Sequence, residues 1–123
     1  MNTYVVVLRI DEEKAVGIGA LGEIKFLKGY YAYAGSAKRG LSKRLERHAS
    51  KSKKLHWHID YLSKEAEFVT ARLSALEECE LARELESLGG NPIPGFGCSD
   101  CNCRSHLFFF EKIPGEWQTN NNN

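Results

Sequence analysis

The chain has 123 residues, 42% of them hydrophobic and 27% charged, a balance that excludes a wholly disordered polymer, a collagen and a membrane bundle. This length suits one small domain, so separate cofactor and substrate modules are excluded as well. The net charge of +1 hides a division. Residues 36–58 hold eight Lys and Arg against Glu46 alone, which makes that segment +7 and the remainder −6.

Thr3 to Ile10, with Tyr4-Val5-Val6-Val7-Leu8 at its centre, predicts a buried first strand because β-branched residues fit a pleated, covered surface. Asp11-Glu12-Glu13 turns the chain. Ala15 to Ala20 and Glu23 to Leu27 flank Leu21-Gly22 and predict a hairpin. Gly17-Ile18-Gly19-Ala20-Leu21-Gly22 spells the dinucleotide fingerprint, but a strand-like run follows it where the fingerprint needs a helix. Gly29 to Gly35 predicts a further strand with Tyr31, Tyr33 and Gly35 on one face and Tyr30, Ala32 and Ala34 on the other. A helix is expected to open at Ser36 to Lys38, turning Leu41, Leu45 and Ala49 inward and stacking Arg39, Lys43 and Arg47 toward solvent.

Leu55, Trp57, Ile59 and Tyr61 alternate with polar residues as a strand would, yet a short helix is preferred there. Phe68 to Leu73 predicts a strand. Leu76 to Leu88 predicts a helix with Leu81, Leu85 and Leu88 on one stripe, ended by Gly89-Gly90. Asn91 to Arg104 is expected as a loop and Leu107 to Phe110 as the last strand. Residues 1–117 are thus expected to form one α/β (α+β) domain, a small central antiparallel sheet flanked by helices. Gln118 to Asn123 is expected to be a disordered polar tail. No run is apolar enough to cross a bilayer, and the first residues lack a signal peptide's basic and apolar regions, so the expected location is cytoplasmic, with no membrane partner.

The basic segment, with His48, His56 and His58 inside it and tyrosines beside it, has the makeup of a phosphate-backbone contact surface. Lys38, Arg39, Lys43, Arg47, Lys51, Lys53 and Lys54 are its candidate DNA-binding residues, a solvated helix face being the alternative. Tyr33-Ala34-Gly35-Ser36-Ala37, followed at helical positions by Arg44 and His48, resembles the second half-motif of the GIY-YIG nuclease superfamily. The whole chain resembles a stand-alone branch of that superfamily that is sometimes fused to endonuclease III-type repair glycosylases. Gly29 to Ala37, His56 to Leu62, and Ser99-Asp100-Cys101 through Ser105-His106-Leu107 carry this likeness.

The resemblance implies a GIY-YIG-like fold and divalent-metal-dependent phosphodiester hydrolysis in DNA processing or repair, with DNA or another nucleic acid as partner and a repair protein as a further one. It also implies roles. Tyr4 or Tyr33 activates water, Arg44 stabilises the transition state, His48 or His56 assists proton movement, and Glu78 holds Mg²⁺ or Mn²⁺. A phenol is a poor base at neutral pH unless positive charge lowers its pKa, and Arg44 together with a divalent ion is expected to supply that field.

Sheet packing is the alternative for the tyrosines, and a surface position at a helix C-terminus for His48. For Glu78 it is a capping or salt-bridged role, with Glu77 able to take its place if the helix rotates. Only Tyr4 of the first half-motif is present, which favours a non-catalytic DNA-binding module as the rival function; a domain that meets an acidic protein is a third reading. Cys98, Cys101, Cys103 and His106 could complete a zinc shell, but four ligands within nine residues make a strained chelate, so zinc is disfavoured against a buried turn of inert thiols.

Overall fold

The computed structural model describes residues 2–98 and 103–114; the polar tail and Cys101 lie outside the described residues. Among the described residues, seven strands and three α-helices follow in chain order: β1 Thr3–Ile10, β2 Lys14–Gly17, β3 Glu23–Phe26, β4 Gly29–Ser36, α1 Leu41–Ala49, α2 His58–Glu65, β5 Glu67–Ser74, α3 Glu78–Ser87, β6 Asn91–Pro92 and β7 Leu107–Phe110. The main sheet has the order β5-β1-β4-β7-β6, with every neighbouring pair antiparallel, and β2 and β3 form a separate hairpin. The fold is α+β, as expected.

β1 lies at the centre of the packing and is covered on both faces, which is why its sequence is a continuous apolar run rather than an alternation. Tyr4, Val6, Leu8 and Ile10 point into a core closed by the hairpin, α1 and α2, through Ile18, Phe26, Ile59 and Leu62. Val5 and Val7 point the other way, onto Leu81, Ala82 and Leu85 of α3. The facing predicted for β4 holds: Tyr31 and Tyr33 join the first core, Ala32 and Ala34 the second. The fingerprint-like glycines sit in the hairpin, where Ile18 donates to the Gly22 carbonyl at 2.9 Å across a 3-10 turn.

Three boundaries differ from expectation. α1 begins at Leu41 rather than at Ser36 to Lys38, because Gly40 caps it at φ +63°, in the left-handed region that only glycine enters cheaply. Arg39 is therefore outside the helix. The segment 55–62 is helical only from His58, and α3 starts at Glu78, so Leu76 and Leu88 flank it and stay exposed. The loop after α3 also contributes the short strand β6, paired with β7.

Candidate functional site

The site forms at one end of the main sheet, where β1 enters at Thr3, β4 leaves at Ser36 and β5 ends at Ser74. Tyr4 is paired with Gly35 across the β1/β4 ladder. A Cβ at position 35 would lie 2.6 Å from the Tyr4 hydroxyl and 2.9 Å from the Tyr33 ring, so the lack of a side chain there makes room for both tyrosines. The Tyr4 hydroxyl then reaches across to α1 and meets Nε2 of His48 at 2.7 Å. The Tyr33 ring packs edge-on against His48 at 5.9 Å between centroids.

Glu78 comes from the opposite layer. Although α3 packs on the far face, its first residue projects past the sheet end, where Ser36 Oγ donates to Glu78 Oε1 at 2.5 Å. Arg44 reaches the same place from α1. One guanidinium nitrogen donates to the Ser36 carbonyl at 2.9 Å, and the group stacks on the Trp57 ring at 4.4 Å. Tyr4, Tyr33, Arg44, His48 and Glu78 thereby line one pocket of about 270 Å³, together with Ser36 and Trp57. A wider groove of about 550 Å³ shares Ser36 and Glu78 with it and extends past Thr3 and Lys38. Glu77 caps α3 instead of entering the pocket, its N–H donating to Glu80.

The electrostatics differ from the expectation for the phenol. Burial pushes Tyr4 up to about 12, and Arg44 only partly offsets this. Burial raises Tyr33 as well. His48 is not a surface histidine: it is 1% exposed, and burial, aided by the charge of Lys53, pushes it down to about 4. At neutral pH the Tyr4–His48 pair is therefore uncharged on both sides. Its Nδ1 finds no hydrogen-bond partner among the described residues. Glu78 is held below the usual carboxylate range, chiefly by His106 and then by Ser36 against the effect of burial, so it is ionised.

The basic segment divides in two. Lys38, Arg39, Lys43, Lys51 and Lys54 are exposed, although Lys51 also bonds to backbone. Arg47 does not stack toward solvent: it pairs at 2.8 Å with Asp60, which is 0% exposed and also accepts the N–H groups of His56 and Trp57 at 2.9 and 2.8 Å. This ties the C-terminal half of α1 to the start of α2. Lys51 donates to the carbonyls of Ser63 and Ala66, and Lys53 to the carbonyl of Arg47 and to Ser63 Oγ. Lys51 thereby reaches carbonyls at the C-terminal end of α2, while the Arg47 carbonyl that Lys53 reaches also accepts the Ser50 N–H at 3.2 Å. His56 is exposed beside Trp57 and does not line the pocket, whereas His58 accepts the Gly97 N–H at 2.9 Å.

The cysteine cluster is also regrouped. Cys98 Sγ lies 3.5 Å from the Phe96 carbonyl, and the thiol that approaches His106 from another element is Cys79, whose Sγ is 4.0 Å from His106 Nε2. Sequence reasoning missed Cys79, Ser36, Trp57 and Asp60. The available signals were that Cys79 follows Glu78 directly and Ser36 ends the Tyr-bearing strand. Asp60, within the apolar run from Ile59 to Leu62, carried the mark of a buried capping carboxylate.

With family profiles, residues 3–121 match one described as a domain of unknown function, DUF123. The chain belongs to the DUF123 family. No curated protein and no solved structure matches it. For this DUF123 domain no helix among the described residues is long and apolar enough to cross a membrane.

Proposed function

We infer that this domain binds DNA or another nucleic acid and hydrolyses phosphodiester bonds with one divalent cation, in the manner of the GIY-YIG nucleases whose second half-motif it resembles. One observation carries the reading: two strand tyrosines, an arginine and a histidine from one helix, and a carboxylate from another helix line a single pocket. The pocket opens onto a groove edged by Lys38, which gives a strand a path past Glu78.

Glu78 is the acid that lines the pocket among the described residues, and it is ionised with part of its surface open. One hard carboxylate beside hydroxyls suits Mg²⁺ or Mn²⁺, which keep several water ligands. When bound, the ion supplies positive charge to a phosphate oxygen and lowers the pKa of water and of a nearby phenol. Arg44, held by Ser36 and Trp57, keeps further N–H donors for the phosphate, and its planar fork matches two phosphate oxygens. Water gives its proton to the Tyr4 oxygen as the Tyr4 proton passes to His48 Nε2, along the 2.7 Å contact. The test is incubation with supercoiled, branched and flapped DNA, with and without Mg²⁺ or Mn²⁺. Arg44→Ala and Glu78→Ala should each abolish cleavage, with DNA affinity nearly intact in the Glu78 variant. Undiminished cleavage by either variant refutes its assigned role.

A second reading, a DNA-binding module without hydrolysis, is favoured by the neutrality of the Tyr4–His48 pair, which offers no ready base at neutral pH. It predicts salt-dependent binding and no products with either ion present.

A further inference from the structure

The geometry points to a zinc site built from Cys79, Cys103 and His106, separate from the phosphate pocket and independent of whether that pocket cleaves DNA. The two thiol sulfurs and an imidazole nitrogen lie within 4.8 Å of one another. Tetrahedral zinc, with bonds of about 2.0–2.3 Å, requires ligand atoms about 3.3–3.8 Å apart, so closure around an ion needs shifts well within side-chain reach. Crowding disfavoured a shell drawn from residues 98–106. Here Cys79, from the first turn of α3, replaces a loop ligand, and only Cys103 and His106 come from the loop, in a Cys-x-x-His spacing.

The orientation of His106 is the second observation. It is 2% exposed, with Nδ1 2.7 Å from Glu78 Oε2 and Nε2 on the side of Cys79. A carboxylate on one ring nitrogen fixes the proton there and leaves the other nitrogen's lone pair for a metal, which is how most zinc-bound histidines are held. Two thiols and one neutral imidazole form a soft N/S donor set that selects zinc over magnesium. Cys103 also lines a cavity of about 310 Å³, so open space adjoins one of the three ligands. On binding, each thiol loses its proton and forms a sulfur–zinc bond, with no change of oxidation state. The ion would clamp His106, and through it Glu78, at the pocket wall.

The test is titration of the reduced, metal-free full chain with Zn²⁺, and with Co²⁺ as a spectroscopic probe. Expected are one equivalent of metal bound, release of about two protons from the thiols, a near-ultraviolet thiolate-to-cobalt charge-transfer band and the strong visible absorption of tetrahedral cobalt. Cys79→Ser and Cys103→Ser should each remove much of the charge-transfer band, with circular dichroism of the metal-free variants confirming that they fold. Glu78→Gln should keep the band but weaken affinity about 10- to 100-fold, as loss of an orienting partner does, and Cys98→Ser should change neither. The inference is overturned if the wild-type chain takes up no cobalt, if the band survives in Cys79→Ser, if it depends on Cys98, or if Cys79 and Cys103 join in a disulfide that excludes metal.

Discussion

Acidification offers a direct measure of how dry the Tyr4–His48 contact is. His48 is buried under the sheet end with Lys53, Arg44 and Arg47 nearby, all of which oppose a second positive charge, while Asp60 favours it. The net result is a fall from the ordinary 6.5 to about 4. A histidine depressed in the native state contributes stability that is fully present above its unfolded pKa and lost as pH falls toward the folded value. Applied to these two values, linkage gives a loss of about 2 kcal/mol between pH 7 and pH 5, rising to about 3 kcal/mol by pH 4. Urea denaturation at pH 7, 5 and 4 measures the change as a shift in midpoint at constant slope. His48→Gln is the control: it keeps a polar group toward Tyr4 but cannot titrate, and subtracting its pH dependence removes the smaller contribution of His58, which burial also lowers. Equal pH dependence in the wild-type chain and His48→Gln, or an NMR titration placing His48 above pH 6, refutes the reasoning.

Three further outcomes follow from the same geometry. Asp60→Ala should cost about 3 kcal/mol at pH 7, since it strips Arg47 and two backbone N–H groups of a buried acceptor. Because Asp60 is depressed from 3.8, that penalty should shrink below the ordinary carboxylate range, and a cost under about 1 kcal/mol at pH 7 would show the ion pair to be incidental. Gly35→Ala should cost about 1–3 kcal/mol by overpacking against the Tyr4 and Tyr33 rings, read as a lower urea midpoint. An unchanged midpoint would contradict this. In DNA binding, replacing Lys38, Arg39 and Lys43 together should lower the log–log salt slope by about 2–3. Replacing Lys51 and Lys53 should lower stability and leave the slope alone; a slope that responds only to the second pair would put the contact surface elsewhere.

The sequence by itself determined the strands other than β6, the two faces of β4 and the helical stripe of Leu81 and Leu85, because these depend on local periodicity and on the shape of β-branched and aromatic residues. It also singled out Tyr4, Tyr33, Arg44, His48 and Glu78, all through resemblance, with helical spacing placing Arg44 and His48 on one face. Only the tertiary structure decided which charges are engaged by partners within the fold. Arg47, Lys51 and Lys53 read as surface cations in one dimension, yet their partners Asp60, Ser63 and Ala66 become neighbours only when α2 docks against α1. The same holds for His48, whose low pKa comes from burial beneath a strand 44 residues away, and for Cys79 and His106, which meet because α3 begins where the approach to β7 ends. Periodicity reports the face a residue presents; solvation and charge depend on what the rest of the chain lays over that face.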